Sequence, residues 1–317
     1  MEKLSIILPV YNEAKIIEQF SSELFKVLDN LSDRYTFEII YCVDKSNDGT
    51  ETIIRKICHV RKDAISLNFS RRFGHQMCLV AGLDRCSGDA VVMMDCDLEH
   101  PPSLIPKLVE NYENGYDVVH TKREYNKKVS WLKRFSSRVF YKVISVLSSL
   151  QLEVGNADFR LISRRCVSVF NNSIREQNQF LRGLFRWVGF KQTTVSFVSG
   201  ERGGGESKYS LGRLIRFAIN GIVSFSKFPL TLFSTIGFVI SIAGFVYGIY
   251  TVVASFIVED LPIGWPSMIA LVAFLGGLQL MALGVLGRYI GEIFDEVKNR
   301  PLYIIEEEYS AKDLSGL

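Results

Sequence analysis

The stretch "AVVMMDCDLEHPP", residues 90–102, decides how the chain is read. Five apolar residues run into two carboxylates, Asp95 and Asp97, and then into Glu99, His100 and the pair Pro101 and Pro102. An unbroken apolar run reads as a strand covered on both faces, which is the condition of a mainly parallel sheet flanked by helices. Side chains alternate along a strand, so residues 95 and 97 emerge on the same side of its carboxyl end. Two carboxylates placed there can share a hard divalent cation, Mg²⁺ or Mn²⁺, which would in turn bind phosphate oxygens. They can equally do no more than solvate a strand end. The prolines open the next helix, where a missing N–H costs nothing.

Working outward, "LSIILPV" (4–10), "FEIIYCV" (37–43), "AISLNF" (64–69) and "YDVVHT" (116–121) have the same strand character. Between them residues 13–30, 50–62, 74–86 and 103–114 show helical periodicity. This βαβ rhythm predicts an α/β, Rossmann-like domain with a mainly parallel sheet. In such sheets ligands bind beyond the carboxyl ends of the strands, where the strand order reverses. Pro9, Tyr11, Asn12 and Glu13 follow the first strand, and Asp44 and Asp48 follow the second, on that same edge. A nucleoside lying across these strand ends would meet carboxylates with its base edge and ribose, and a cation with its pyrophosphate.

The rest of the chain has a different solvent. Hydrophobic residues make up 48% of 317, more than a soluble domain needs. No charged residue occurs between Lys227 and Glu259, or between Asp260 and Arg288. Each stretch exceeds the roughly 20 apolar residues that span a bilayer, which predicts a hairpin of transmembrane helices over about 230–256 and 264–288. Glu259 and Asp260 occupy the connection without Lys or Arg, whereas Lys227 precedes the hairpin and Arg288, Lys298 and Arg300 follow it. The positive-inside rule then puts both termini and the α/β domain in the cytoplasm, on a multi-pass protein of the inner membrane. The expected organisation is a cytoplasmic domain over 1–206, an interfacial amphipathic region over 207–228, the hairpin over 229–290 and a cytoplasmic tail over 291–317. A second amphipathic stretch, 131–150, is predicted either to lie on the bilayer or to pack into the core. A net charge of +3 gives no argument for nucleic acid. Six scattered cysteines without a C-x-x-C pair read as reduced, buried thiols, and "MEKLSIILPVYNE" reads as a strand with no secretory leader.

The segments "ILPVYNE" (7–13), "SRRFGHQMCLVAGLD" (70–84), "GDAVVMMDCDLEHPP" (88–102), "DFRLISR" (158–164), "FLRGLFRWVGF" (180–190), "GESKYSLGRLIRFAINGIVSFSKFPL" (205–230) and "VKNRPLYII" (297–305) together resemble the polyprenyl-phosphate glycosyltransferases of glycosyltransferase family 2. Bactoprenol glucosyltransferases and dolichol-phosphate mannose synthases are the relatives in view. The resemblance implies a GT-A fold that moves a hexose from a nucleotide-sugar donor, UDP-linked by first choice, to a polyprenyl phosphate acceptor at the cytoplasmic leaflet with inversion. It implies Asp97 and then Asp95 as the metal-side carboxylates, and Asp158 as the catalytic carboxylate. It also sets the segment with Arg202 and Lys208 against donor and acceptor phosphates; Ser207 and Tyr209 are candidate hydroxyl donors there, and Arg123, after the strand at 116–121, is a further candidate for a phosphate. Asp158 can instead be a capping or salt-bridged residue beside Arg160, and Lys208, Arg213 and Arg216 can be ordinary membrane-surface charges. A second copy of the chain is an admissible partner.

The chain departs from the family pattern at several places. "DKSND" (44–48) is one residue short after the second strand, with Lys45 where an acid or glycine is usual. Glu99 and His100 replace a more frequent Gln and Asp, and Ala157 replaces a glycine. In "GRYIGEIF" (287–294) the common order of acid and base is swapped at Arg288 and Glu292, an i,i+4 pair that can still close. Two rival functions share the same first domain. A processive polysaccharide synthase would need more membrane helices and a Q-x-x-R-W motif, whereas Gly183 stands where that glutamine would be. A non-catalytic membrane scaffold would have no need of Asp95, Asp97 and "GESKY".

Overall fold

Strand β1 (Glu2–Val10) lies parallel to β2 (Tyr35–Val43), and β2 lies parallel to β3 (Ala64–Phe69). The chain then returns past β1, so that β4 (Ala90–Met93) pairs with its other side, again in parallel. The helices between them are α1 (Ile17–Asp29), α2 (Thr50–Val60) and α3 (His75–Arg85), and α4 (Ile105–Glu113) follows β4. The computed structural model describes residues 1–124, 156–198, 228–255 and 264–311.

Beyond β4 the sheet becomes mixed. β6 (Asn156–Ser163) runs antiparallel to β4 and to β5 (Val118–Glu124), and β5 pairs in parallel with β7 (Gln192–Val198). Helices α5 (Arg164–Asn172) and α6 (Leu181–Trp187) lie between β6 and β7. The eight-stranded order is β7-β5-β6-β4-β1-β2-β3-β8. The reversal of strand order between β1 and β4 opens a crevice at their carboxyl ends.

The core follows from the sequence pattern. α1 turns Ile17, Phe20, Ser21, Leu24 and Leu28 inward at helical spacing, while the strands of the parallel centre are buried on both faces. A Cβ on Gly82 would stand 2.3 Å from Ile7 Cγ2, so only glycine lets α3 lie this close to β1. All six cysteines are buried and unpaired, as expected.

The end of the chain is not a simple tail. β8 (Ile305–Ser310) pairs antiparallel with β3 and closes that edge of the sheet. Its sequence "IEEEYS" has no apolar alternation, and the strand forms because its acids find partners. Glu306 pairs with Lys45 at 2.7 Å, Glu307 with Arg55 at 2.5 Å and Glu308 with Arg85 at 2.7 Å. Alternation sends Glu307 toward α2 and Glu308 toward α3, on opposite faces. Residues 300–311 accordingly belong to the same compact unit as the sheet.

A second unit holds helices α7 (Phe228–Ser255) and α8 (Trp265–Val297). Phe228–Tyr247 and Phe274–Val297 are long and apolar enough to cross a membrane. Large apolar side chains such as Phe238, Phe245 and Leu280 are two-thirds exposed, as lipid-facing side chains would be. α8 continues past the expected end at 288, and its swapped Arg288–Glu292 pair closes at 2.9 Å. The amphipathic stretches at 131–150 and 207–227 lie outside the described residues.

Candidate active site

The two loops flanking the crevice are both bent into conformations that side chains seldom adopt. Asn12 after β1 has φ 56° and Leu98 after β4 has φ 61°. Left-handed backbone at non-glycine residues persists only where the surroundings hold it, and it concentrates at functional sites. After β1, Asn12 Oδ1 accepts the Asn47 N–H at 3.1 Å, Glu13 N–H donates to Thr50 Oγ1 at 3.0 Å, and Ala14 N–H donates to Asp48 Oδ2 at 3.1 Å. The loops after β1 and β2 are therefore stitched together. Pro9 lies within β1, buried and opposite Cys42, whereas Tyr11 is 37% exposed with the Arg72 guanidinium 4.1 Å over its ring.

After β4, Asp97 Oδ1 accepts the Glu99 N–H at 3.0 Å and so shapes the turn. Asp95 accepts a 2.6 Å hydrogen bond from His75 Nε2, at the start of α3. His100 is buried between Phe159 and Phe197 and takes the Asp95 N–H on Nδ1 at 3.0 Å. The two aspartates differ electrostatically. Burial resists charge on Asp95, but the His75 hydrogen bond and the favourable electrostatics of the two neighbouring imidazoles outweigh it and lower its pKa. Burial and the neighbouring charge of Asp95 raise the pKa of Asp97 from its ordinary value. Asp97 thus carries a charge that the protein itself leaves poorly compensated.

That imbalance is what a bound cation would relieve. Among the described residues no three His, Cys, Asp or Glu side chains form a ready-made metal cage. Two hard carboxylate donors at one strand end nevertheless fit Mg²⁺ or Mn²⁺, whose remaining positions are commonly filled by substrate phosphate and water.

A third acid lies deeper. Asp158 on β6 is 6% exposed, and both of its oxygens are engaged. Arg182 of α6 grips it through Nε at 2.8 Å and a terminal nitrogen at 2.6 Å, and buried Arg160 donates to Oδ1 at 2.9 Å. Burial opposes its ionisation, but the Arg182 and Arg160 guanidinia hold the carboxyl well below the usual carboxylate range. Its charge also reaches His75, where it joins the Asp95 hydrogen bond in outweighing burial and raising the imidazole pKa. The Arg182 side chain remains 34% exposed.

The structure therefore brings Tyr11, Glu13, Asp95, Asp97 and Asp158 to one edge of the sheet. Asp44 is also there, but it is 2% exposed and its oxygens accept the Phe73 and Gly74 N–H groups at 2.8 and 2.9 Å. Arg123 pairs with buried Glu99 at 2.5 Å. Arg202, Ser207, Lys208 and Tyr209 lie outside the described residues. Sequence reasoning gave no role to His75, Arg72 or Arg182. Each stands in a quoted segment, and the signal for His75 was a glycine and a histidine opening a helix at the ligand-binding edge.

Comparison with known proteins decides the family. The profile of "Glycosyl transferase family 2" matches residues 5–170. The chain is 38% identical over 309 residues to the SfII prophage-derived bactoprenol glucosyl transferase of Shigella flexneri, covering 97% of this chain and 98% of that one. The chain belongs to glycosyltransferase family 2. It is likewise 36% identical to the uncharacterized glycosyltransferase YkcC of Bacillus subtilis, over 98% of this chain and 95% of that protein. Among solved structures, a glucosyl-3-phosphoglycerate synthase from Mycobacterium tuberculosis with Mn²⁺, UDP and phosphoglyceric acid is 22% identical, with a TM-score of 0.48 over 70% of this chain and 78% of that one. The protein is thus a glycosyltransferase whose first unit has the GT-A fold, and the crevice between β1 and β4 is where such a sheet binds its ligand.

Proposed function

We propose that the protein transfers a hexose from a UDP-linked donor, such as UDP-glucose, to polyprenyl phosphate at the cytoplasmic leaflet, with inversion at the anomeric carbon. The observation that carries this reading is the near-full-length likeness to a bactoprenol glucosyl transferase, which extends through the apolar hairpin. An acceptor dissolved in the bilayer also accounts for a catalytic unit followed by two long apolar helices.

In the transfer, an oxygen of the acceptor phosphate attacks the anomeric carbon as the bond to the donor's β-phosphate breaks, and the electron pair leaves with the nucleoside diphosphate. A phosphate monoester has its second pKa near about 6, so the nucleophile is already ionised at neutral pH and needs little help from a base. Asp158 suits this requirement as an orienting group, since paired guanidinia keep it ionised and unable to take a proton. Arg182, held in the bidentate grip of Asp158, offers fixed positive charge to the phosphates. Asp97 and Asp95 would hold Mg²⁺ or Mn²⁺. When bound, that ion supplies Lewis-acid screening of the departing diphosphate. His75 orients Asp95, while Tyr11 and Arg72 provide a flat cationic face for the nucleoside. Arg202 and Lys208 add cations for the acceptor side, with Ser207 and Tyr209 as hydroxyl donors.

Titration calorimetry tests the donor assignment. UDP should bind more tightly with Mg²⁺ than without it, and more tightly than GDP. Absence of nucleotide binding under all conditions would contradict the reading and favour a scaffold.

A further inference from the structure

Two of the segments that resemble the family, "SRRFGH" (70–75) and "RPLYII" (300–305), pack on each other. The first is the loop between β3 and α3, and it touches the ends of all three neighbouring strands. Arg72 lies over Tyr11 after β1, the Phe73 and Gly74 N–H groups donate to Asp44 after β2, and His75 donates to Asp95 after β4. Gly74 adopts φ 92°, a conformation that favours glycine, so the loop reaches these partners through a single constrained path.

From outside, the loop is gripped by the chain that returns after α8. The Tyr303 ring stacks on Phe69 at 5.8 Å, and Phe69 meets Phe73 edge-on at 5.9 Å. Ser70 N–H donates to the Ile304 carbonyl at 3.1 Å. Tyr303 is itself fixed, since its hydroxyl donates to Asp84 Oδ2 at 2.8 Å and Asp84 is held by both terminal nitrogens of Arg175. The Arg300 carbonyl accepts from Gln177 Nε2 at 2.6 Å, and β8 then runs along β3.

We propose that the segment from Arg300 to Ser310, centred on Tyr303, is a positioning element for the donor site. It braces the β3–α3 loop, which in turn sets Tyr11, Asp44 and Asp95 relative to one another. The inference rests on the donor-site reading above and adds the part of the chain that keeps this site assembled. Because Arg300 follows α8 by three residues, the segment that emerges from the second apolar helix is also the one that steadies the donor loop.

The test uses the full-length enzyme in nanodiscs carrying Tyr303→Ala, Tyr303→Phe, or the triple change E306Q/E307Q/E308Q. Tyr303→Ala should speed amide exchange at Ser70, Phe73 and Gly74 and raise the donor KM about 3- to 10-fold, the loss of an aromatic pair. The acceptor KM should stay put. Tyr303→Phe, which keeps the stack, should recover most of the donor KM. If Tyr303→Ala does not fold, the triple variant carries the test, because its exposed acids loosen β8 without opening the core. Unchanged exchange at 70–74 and unchanged donor KM in a folded variant would overturn the proposal. So would equal rises in both KM values without faster exchange. If the unmodified protein binds no UDP, the functional reading fails, yet exchange at the three amides still decides whether the tail braces the loop.

Discussion

At the scale of single residues, the three central aspartates separate by their surroundings. Burial and Asp95 raise the pKa of Asp97, so the folded state holds its proton more tightly than the unfolded chain does. The ionised form therefore opposes folding at neutral pH, and Asp97→Asn should leave thermal stability equal or higher. Turnover should nevertheless fall about 10²- to 10³-fold, as for loss of a group that stabilises developing charge. Thermal melting beside steady-state rates checks both halves. Asp158 has the opposite sign. Its folded pKa is depressed, so its contribution is present above the unfolded value near about 4 and is lost as pH falls through the lower folded value. Asp158→Asn should cost about 3–5 kcal/mol at pH 7, because it leaves Arg160 buried against a neutral amide. Denaturant titration reads that loss. The acid limb of single-turnover transfer, near about pH 6, should reflect the acceptor's second ionisation. A limb removed specifically by Asp158→Asn would mean that Asp158 accepts a proton after all.

At the scale of elements, the first five strands and the helices between them were legible because burial writes itself as an apolar run. The strands after β5 were not. β6, "NADFRLIS", places Asp158 and Arg160 inside a buried strand, where Asp158 pairs with Arg160 and, across space, with Arg182. β8 is three glutamates in a row, and the Lys45, Arg55 and Arg85 that neutralise them lie more than 200 residues away in the chain. The unusual Lys45 in "DKSND" thus finds its partner on that edge strand. His75 was missed because its partner Asp95 is joined to it only through the fold. One glycine at this scale invites a direct check. Gly82→Ala should destabilise the first unit by about 1–3 kcal/mol through overpacking against Ile7, measured by chemical denaturation.

At the scale of the whole molecule, the hairpin and the donor site belong to one reading of function. Two long apolar helices were legible from charge-free runs, and the orientation proposed for them is argued from where Lys and Arg stand. A reporter fused after Leu317 should be cytoplasmic and one inserted near Leu261 should be on the far side, which protease digestion of sealed vesicles reads independently. A far-side carboxyl terminus would contradict that topology. The central claim is transfer to a lipid phosphate, and the most direct measurement is the mass of the lipid product. Purified protein should be incubated with undecaprenyl phosphate, Mg²⁺ and a panel of nucleotide sugars, and the lipid fraction analysed by mass spectrometry. The account predicts a lipid heavier by one hexose, strongest with a UDP-linked donor and formed about 10²- to 10³-fold more slowly by Asp97→Asn. Nucleotide sugar consumed with no sugar on the lipid, or a lipid carrying a growing polymer, would contradict it.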